Sequence, residues 1–94
     1  MLKKYLGSPG VGNEWHHIVE QRASNISAFG SEAIHNVDNS IAINSKIHTK
    51  ISAFYSSKQR FTNGLRVREW LKGQSFQKQY EFGIKVLRDF GVIK

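Results

Sequence analysis

The chain contains no cysteine and only one proline among its 94 residues. The lack of cysteine excludes disulfide bonds and thiolate metal sites, so a bound metal would need histidine and oxygen ligands. No apolar run approaches the roughly 20 residues that cross a bilayer, and the N-terminal residues lack the apolar core of a signal peptide. We therefore expect one domain with a modest core and no association with a membrane.

Acidic side chains are scarce in the second half of the chain. The 14 Lys and Arg against 7 Asp and Glu give a formal charge of +7. Residues 1–44 have three basic and four acidic side chains, a net of −1, whereas residues 45–94 have eleven basic and three acidic ones, a net of +8. A half this basic attracts polyanions and speeds encounter with nucleic acid. The same charge also fits a solubilising surface.

The distribution of turn formers and apolar residues predicts the order of the first elements. Residues 1–13 read as a leader rich in turn formers, and residues 14–94 as the folded domain. Aromatic and β-branched residues predict a strand at 15–19, and residues 41–43 predict a second short strand. The polar residues between them, 21–40, are typical of a long connecting loop.

Helices are predicted after the second strand. Asn44 or Ser45 suits an N-cap, and the helix that follows ends near Ser57. Its apolar residues recur at the spacing of one helical face: Ile47, Ile51, Phe54 and Tyr55.

The C-terminal third reads as a helical extension. A turn at 62–64 precedes a short helix at 65–71, and a further helix begins at Ser75 and ends near Gly91, which suits a left-handed C-terminal cap. The predicted apolar stripe of this last helix is Phe76, Tyr80, Ile84 and Leu87. Together these elements predict an α+β fold.

The positions of three histidines suggest a joint site. His16 and His17 are adjacent in the first strand, and His48 lies one turn into the following helix. Because successive strand residues point to opposite faces, one of the pair can share a cation with His48 while the other reaches toward substrate. Histidine is both a common metal ligand and the most common general base near neutral pH. Separate surface and core histidines with no joint role fit the same pattern.

Two segments resemble the signature of the HNH nucleases. Residues Trp15–Gln21 contain a His-His pair at the end of the first strand, and residues Asn39–Ile43 begin with an asparagine. His48 lies nine positions after that asparagine, which is the spacing in the family. The similarity covers residues 14–57 well and 65–84 loosely. In particular, the chain resembles the Trp-His-His nuclease domains at the C-termini of bacterial polymorphic and contact-dependent inhibition toxins.

The resemblance implies a fold and a role for each signature residue. The fold would be a small ββα-metal (His-Me finger) core with additional C-terminal helices. His17 would be the general base, His16 and His48 would bind one divalent ion, and Asn39 would help to aim the base. The metal stays open among Mg, Mn, Zn, Ni and Co, since imidazole ligands suit several of these ions and family members also use magnesium.

Other residues near the signature are weaker candidates for the site. His35, Glu20 and Asn44 could contribute to it, although a loop, surface or capping role fits each of them. Trp15 is expected to pack in the hairpin. The candidate phosphate contacts are Arg60, Arg66 and Arg68.

The resemblance further implies an activity and a biological setting. The domain would hydrolyse DNA with little sequence specificity, as a toxin delivered on a larger protein into the cytoplasm of a competing bacterium. A cognate acidic immunity protein would neutralise it in the producing cell. Two alternatives stay open: an RNA-specific nuclease, for example on transfer RNA, and a basic nucleic-acid-binding module without catalysis. A comparison of substrates separates the first alternative, and binding without cleavage under any metal identifies the second.

Overall fold

The computed structural model describes residues 7–94, so residues 1–6 of the predicted leader lie outside the described residues. Within this range the sheet has two antiparallel strands, β1 (Asn13–His17) and β2 (Ser40–Asn44). The same range contains five α-helices, and the α+β class predicted from the sequence is confirmed. The helices are α1 (Ala23–Phe29), α2 (Ser31–Ile34), α3 (Ser45–Ser56), α4 (Val67–Leu71) and α5 (Phe76–Asp89).

The first strand begins and ends two residues earlier than predicted. Its ladder runs from the pair Asn13 and Asn44 to the pair His17 and Ser40. Ile18 and Val19 are buried, which explains their strand-like character. They lie beyond the ladder because their amides donate to the main chain and side chain of one residue, Asn39, rather than to successive residues of β2.

The prediction of one long loop over residues 21–40 is wrong. This segment forms α1, α2 and a 3₁₀ turn over Val37–Asn39. Its polar side chains make local hydrogen bonds: Nδ2 of Asn25 donates to the Glu20 carbonyl, and the Asn36 side chain accepts from the backbone amide of Asp38. The side chain of Ile34 is completely buried and anchors the segment to the rest of the fold.

Helix α3 follows β2 with no intervening loop. The Asn44 side chain accepts from the amides of Lys46 and Ile47, as its predicted capping role requires. Asn44 also pairs with Asn13 at the start of β1, so the first turn of α3 lies over that end of the strand. The predicted apolar face is confirmed: Ile51 and Tyr55 are buried, and Ile47 and Phe54 pack against the core.

Helix α5 is capped as predicted, but its buried face is shifted from the predicted apolar stripe. Ser75 accepts from the Lys78 amide, and Gly91 adopts a φ of 76° beyond the C-terminus. The buried residues are Gln79, Gly83, Val86 and Leu87, so of the predicted stripe Leu87 is buried, whereas Phe76, Tyr80 and Ile84 are only partly buried. A Cβ atom at Gly83 would lie 2.5 Å from the carbonyl oxygen of Ile18. The glycine therefore lets α5 touch the backbone just after His17.

One cluster of buried residues joins the sheet to α3, α4 and α5. Its members are Ile18, Ile43, Ile51, Tyr55, Val67, Leu71, Val86 and Leu87. Burial of these apolar side chains is the main favourable contribution to folding. No helix within residues 7–94 is long and apolar enough to span a membrane.

The buried side chain of Asn39 joins three segments where β1 ends and β2 begins. Its Oδ1 accepts from the Val19 amide at 2.8 Å. Its Nδ2 donates to the carbonyls of Val19 at 3.1 Å and Ile34 at 2.9 Å, and its own carbonyl accepts from the Ile18 amide. We call these contacts the Asn39 clamp. They hold the residues after His17 against the end of α2.

We expect Asn39→Ala to lower the free energy of unfolding by about 3 kcal/mol, because it leaves buried backbone groups without partners. Asn36→Ala is the matched control, since Asn36 is exposed and its side chain accepts a single hydrogen bond at the 3₁₀ turn. That change should cost about 1 kcal/mol or less. Urea unfolding of both variants measures the difference, and equal losses would contradict the clamp.

Candidate functional site

A cleft of about 450 Å³ opens beside the C-terminal part of β1, between α3 and the start of α4. Strand β1 and helix α3 supply three histidines to its lining, and residues near the cleft wall supply one carboxylate and two guanidinium groups. These six residues are His16, His17, His48, Glu20, Arg22 and Arg68. The fold thus brings together the three histidines that the sequence suggested as one site.

The pairing of His16 with His48 follows from the strand register. Since Asn44 pairs with Asn13, α3 rises over β1, and its second turn meets the face of the strand that carries Glu14 and His16. The rings of His16 and His48 lie 5.5 Å apart between centroids, at an angle of 77°. Nδ1 of His48 lies 3.8 Å from Oε1 of Glu14. This distance is longer than a hydrogen bond, so Glu14 lies near the His48 ring without fixing its orientation.

The His16 ring is buried, with 6% of the residue exposed. Its Nε2 atom has no hydrogen-bond partner among the described residues. Burial, together with the charges of His48 and His17, lowers the pKa of His16 to about 4. The ring is therefore neutral at pH 7. A buried polar atom without a partner costs free energy, and a cation bound to a neutral imidazole would satisfy it.

The geometry of the His16–His48 pair fits a shared metal ion. Two imidazoles bound to one ion at metal–nitrogen distances of about 2.1 Å have their ring centres about 5 Å apart. The His17–His35 pair has a similar separation, 5.3 Å, so distance alone does not distinguish the pairs. The two pairs are distinguished by the buried Nε2 atom of His16, which has no hydrogen-bond partner among the described residues. In residues 7–94 no group of three or more His, Cys, Asp or Glu side chains converges as a ligand set.

His17 occupies a different position from its neighbour. It is half-buried, lines the cleft and has its ring against that of His35, edge to face at 82°. His35 does not line the cleft. Asn39 is not in the cleft either: it lies behind the strand, where the Asn39 clamp fixes the backbone that follows His17.

Arg68 and Glu20 form an ion pair on the cleft wall. Nε and Nη2 of Arg68 donate to the two carboxylate oxygens of Glu20 at 3.2 and 2.9 Å, and Nη1 donates to Oγ of Ser56 at 2.8 Å. Both oxygens of Glu20 are thus occupied by Arg68. Three of the five N–H donors of Arg68 are used in these hydrogen bonds, and two remain. Of the predicted phosphate contacts, it is the one that lines the cleft.

The other candidate residues lie outside the cleft. Asn44 is exposed and caps α3. Arg60 and Arg66 are also exposed, and Nη1 of Arg66 lies 3.5 Å from the carbonyl oxygen of Ser56.

Six lining residues were not predicted as part of the site: Trp15, Gln21, Arg22, Ile51, Ser52 and Tyr55. Trp15 is half-buried on the cleft wall, and its Nε1 donates to the Gly7 carbonyl at 3.0 Å. Tyr55 lies on the predicted core face of α3 and also reaches the cleft, where burial raises the pKa of its phenol. Arg22 donates to the Arg68 carbonyl and to Glu69. Nothing in the local sequence marks Arg22, since its partners are more than 45 residues away.

A long part of the chain beside the cleft has no acidic residue. Between Asp38 and Glu69 there is no Asp or Glu. The six basic residues of this segment are Lys46, Lys50, Lys58, Arg60, Arg66 and Arg68, and all except Arg68 are exposed. The segment therefore has a net positive charge, and one of its basic residues, Arg68, lines the cleft.

Comparisons of the chain with protein-family models, with curated proteins and with solved structures find no match.

We expect His16 to make the stability of the metal-free protein depend on pH. Its pKa is about 4 in the folded state and about 6.5 when unfolded, so between these values the unfolded state binds the extra proton. Stability from this group is therefore complete above about pH 6.5 and is lost as the pH falls toward 4, by about 3 kcal/mol in all.

Urea unfolding in EDTA from pH 7 to pH 4 measures this effect against His16→Gln, which lacks the titrating group. Over this range, the free energy of unfolding of the parent should fall by about 3 kcal/mol relative to that of His16→Gln. Parallel curves would contradict the shifted pKa, as would an NMR titration of the His16 ring with its midpoint near 6.5.

Proposed function

We propose that this chain is a metal-dependent nuclease domain of the HNH class, in which β1, β2 and α3 form the ββα-metal core. The observation that carries the proposal is the arrangement of His16: its ring is neutral and buried, its Nε2 has no partner among the described residues, and it lies against His48. His17 is the next residue and lines the same cleft.

The two paired histidines are the proposed ligands of one divalent cation. His16 and His48 offer imidazole nitrogens, which suit Zn, Ni, Co or Mn by ligand type. Two protein ligands leave other coordination positions for water and phosphate oxygens. When bound, the ion supplies Lewis-acid stabilisation of the charge that develops on the phosphate and on the leaving oxygen.

His17 is the proposed general base. A neutral imidazole at the cleft surface can take a proton from water as the oxygen attacks phosphorus. The Asn39 clamp supports this role because it fixes the backbone just after His17, and misplacement of a catalytic group by about 1 Å can cost about 100-fold in rate. Arg68, held by Glu20, presents its remaining donors to an anion in the cleft.

The proposed substrate is DNA, cleaved with little sequence specificity. The acid-free segment between residues 38 and 69 supports a polyanionic substrate, since its exposed cations lie on α3 and on the loop before α4. Phosphate contacts of this kind do not read sequence. In the same proposal the domain acts as an antibacterial toxin in the cytoplasm of a target cell. The net charge of +7 favours an acidic immunity protein as its partner.

We expect His17→Ala to slow cleavage about 10²- to 10⁴-fold, which is the contribution of a general base. The assay uses plasmid DNA and total RNA in parallel, with EDTA and with each of the five divalent metals. Affinity for DNA should be unchanged in a fluorescence anisotropy titration. Gln77→Ala, at an exposed position on α5, serves as the control and should cleave like the parent.

Three results would count against the proposal. Cleavage by His17→Ala at the parental rate would contradict the role of His17 as general base. Cleavage that persists in EDTA would contradict the need for a metal ion. Binding of DNA and RNA without cleavage under any of the metals would identify a non-catalytic module, whereas cleavage of RNA alone would keep the site and change the substrate.

A further inference from the structure

His35 is the fourth histidine of the chain, and it belongs to the surroundings of His17. Its ring centroid lies 5.3 Å from that of His17, and the two rings meet edge to face at 82°. His35 itself is half-buried and does not line the cleft. It therefore contacts the proposed base from outside the space available to substrate.

The backbone that carries His35 is fixed to the backbone that follows His17. The His35 amide donates to the Ser31 carbonyl at 2.9 Å, which closes the last turn of α2. The preceding carbonyl, of Ile34, accepts from Nδ2 of Asn39, and the same side chain bonds both backbone groups of Val19. One buried amide thus holds the segments of both histidines, and their contact follows from it.

We infer that His35 is a positioning residue for the proposed general base His17, an inference that rests on the proposed function. A ring packed against an imidazole restricts its side-chain torsions, and the clamp keeps the two backbones at a constant separation. His35 acts by packing, so the shape of its ring matters rather than its nitrogen atoms. It touches neither substrate nor metal in this account.

Kinetics can separate positioning from a merely structural role. In single-turnover cleavage of plasmid DNA, His35→Ala should be slower by about 10- to 100-fold, as expected for a misplaced catalytic group, with the DNA affinity within about twofold of the parent. His35→Phe should restore most of the rate, since it keeps a planar ring. In a His17→Ala background, His35→Ala should cause no further loss. Val37→Ala, an exposed position on the adjacent 3₁₀ turn, is the matched control and should leave the rate unchanged.

A readout that does not need activity tests the contact itself. The ring current of a neighbouring aromatic side chain changes the chemical shifts of the His17 ring protons. In the metal-free protein these shifts should therefore change in His35→Ala and stay close to those of the parent in His35→Phe. Unchanged His17 signals in His35→Ala would overturn the inference.

Three kinetic results would also overturn it. These are a parental rate for His35→Ala, an equal loss in the His17→Ala background, and an active His35→Gln beside an inactive His35→Phe, which would mean that a hydrogen-bonding group is needed rather than a ring. If His17→Ala cleaves like the parent, the proposed function has failed. If His17→Ala is inactive and His35→Ala is unaffected, only the present inference has failed.

Discussion

The geometry of the cleft depends on one buried amide, the side chain of Asn39. Three of its hydrogen bonds reach Val19 and Ile34, and its backbone carbonyl receives the amide of Ile18. Because these contacts lie at the junction of β1 with β2, they determine where the strand pairing stops and where His17 sits. The close approach of α5 at Gly83 covers the same backbone from the other side. A site built in this way is preorganised by the fold rather than by the side chains within it.

The burial of His16 is unfavourable for folding unless something satisfies its ring nitrogen. Apolar residues of similar size would avoid this cost, so an imidazole at 6% exposure with an unpartnered Nε2 is unusual in a domain with a small core. The neighbouring His48 is kept near Glu14 on the same face of the strand. The cation that we propose between the two rings would give the Nε2 atom of His16 a partner.

Local signals predicted the parts of the fold that depend on neighbouring residues. Asn44 and Ser75 cap their helices because capping involves amides two or three positions away, and the alternation of a strand separates His16 from His17. Contacts between residues that are far apart in the sequence leave no local signal and could not be predicted in this way. The helices within residues 21–40 were missed because Asn25 and Asn36 read as loop formers until their hydrogen-bond partners are known. Arg22 lies at the cleft because it donates to Arg68 and Glu69 of α4. The buried face of α5 differs from the predicted one because Gly83 packs against Ile18.

The shared cation is tested most directly by calorimetric titration of the metal-free protein with Zn, Ni, Co, Mn and Mg. The parent should bind one ion. His16→Ala and His48→Ala should each lower the affinity for that ion by more than roughly 10- to 100-fold, which is the cost of losing a residue that only hydrogen-bonds to a metal ligand. His35→Ala removes a histidine outside the proposed ligands and should bind as the parent does. Parental affinity in both ligand variants would contradict the account, as would loss of the ion in His35→Ala.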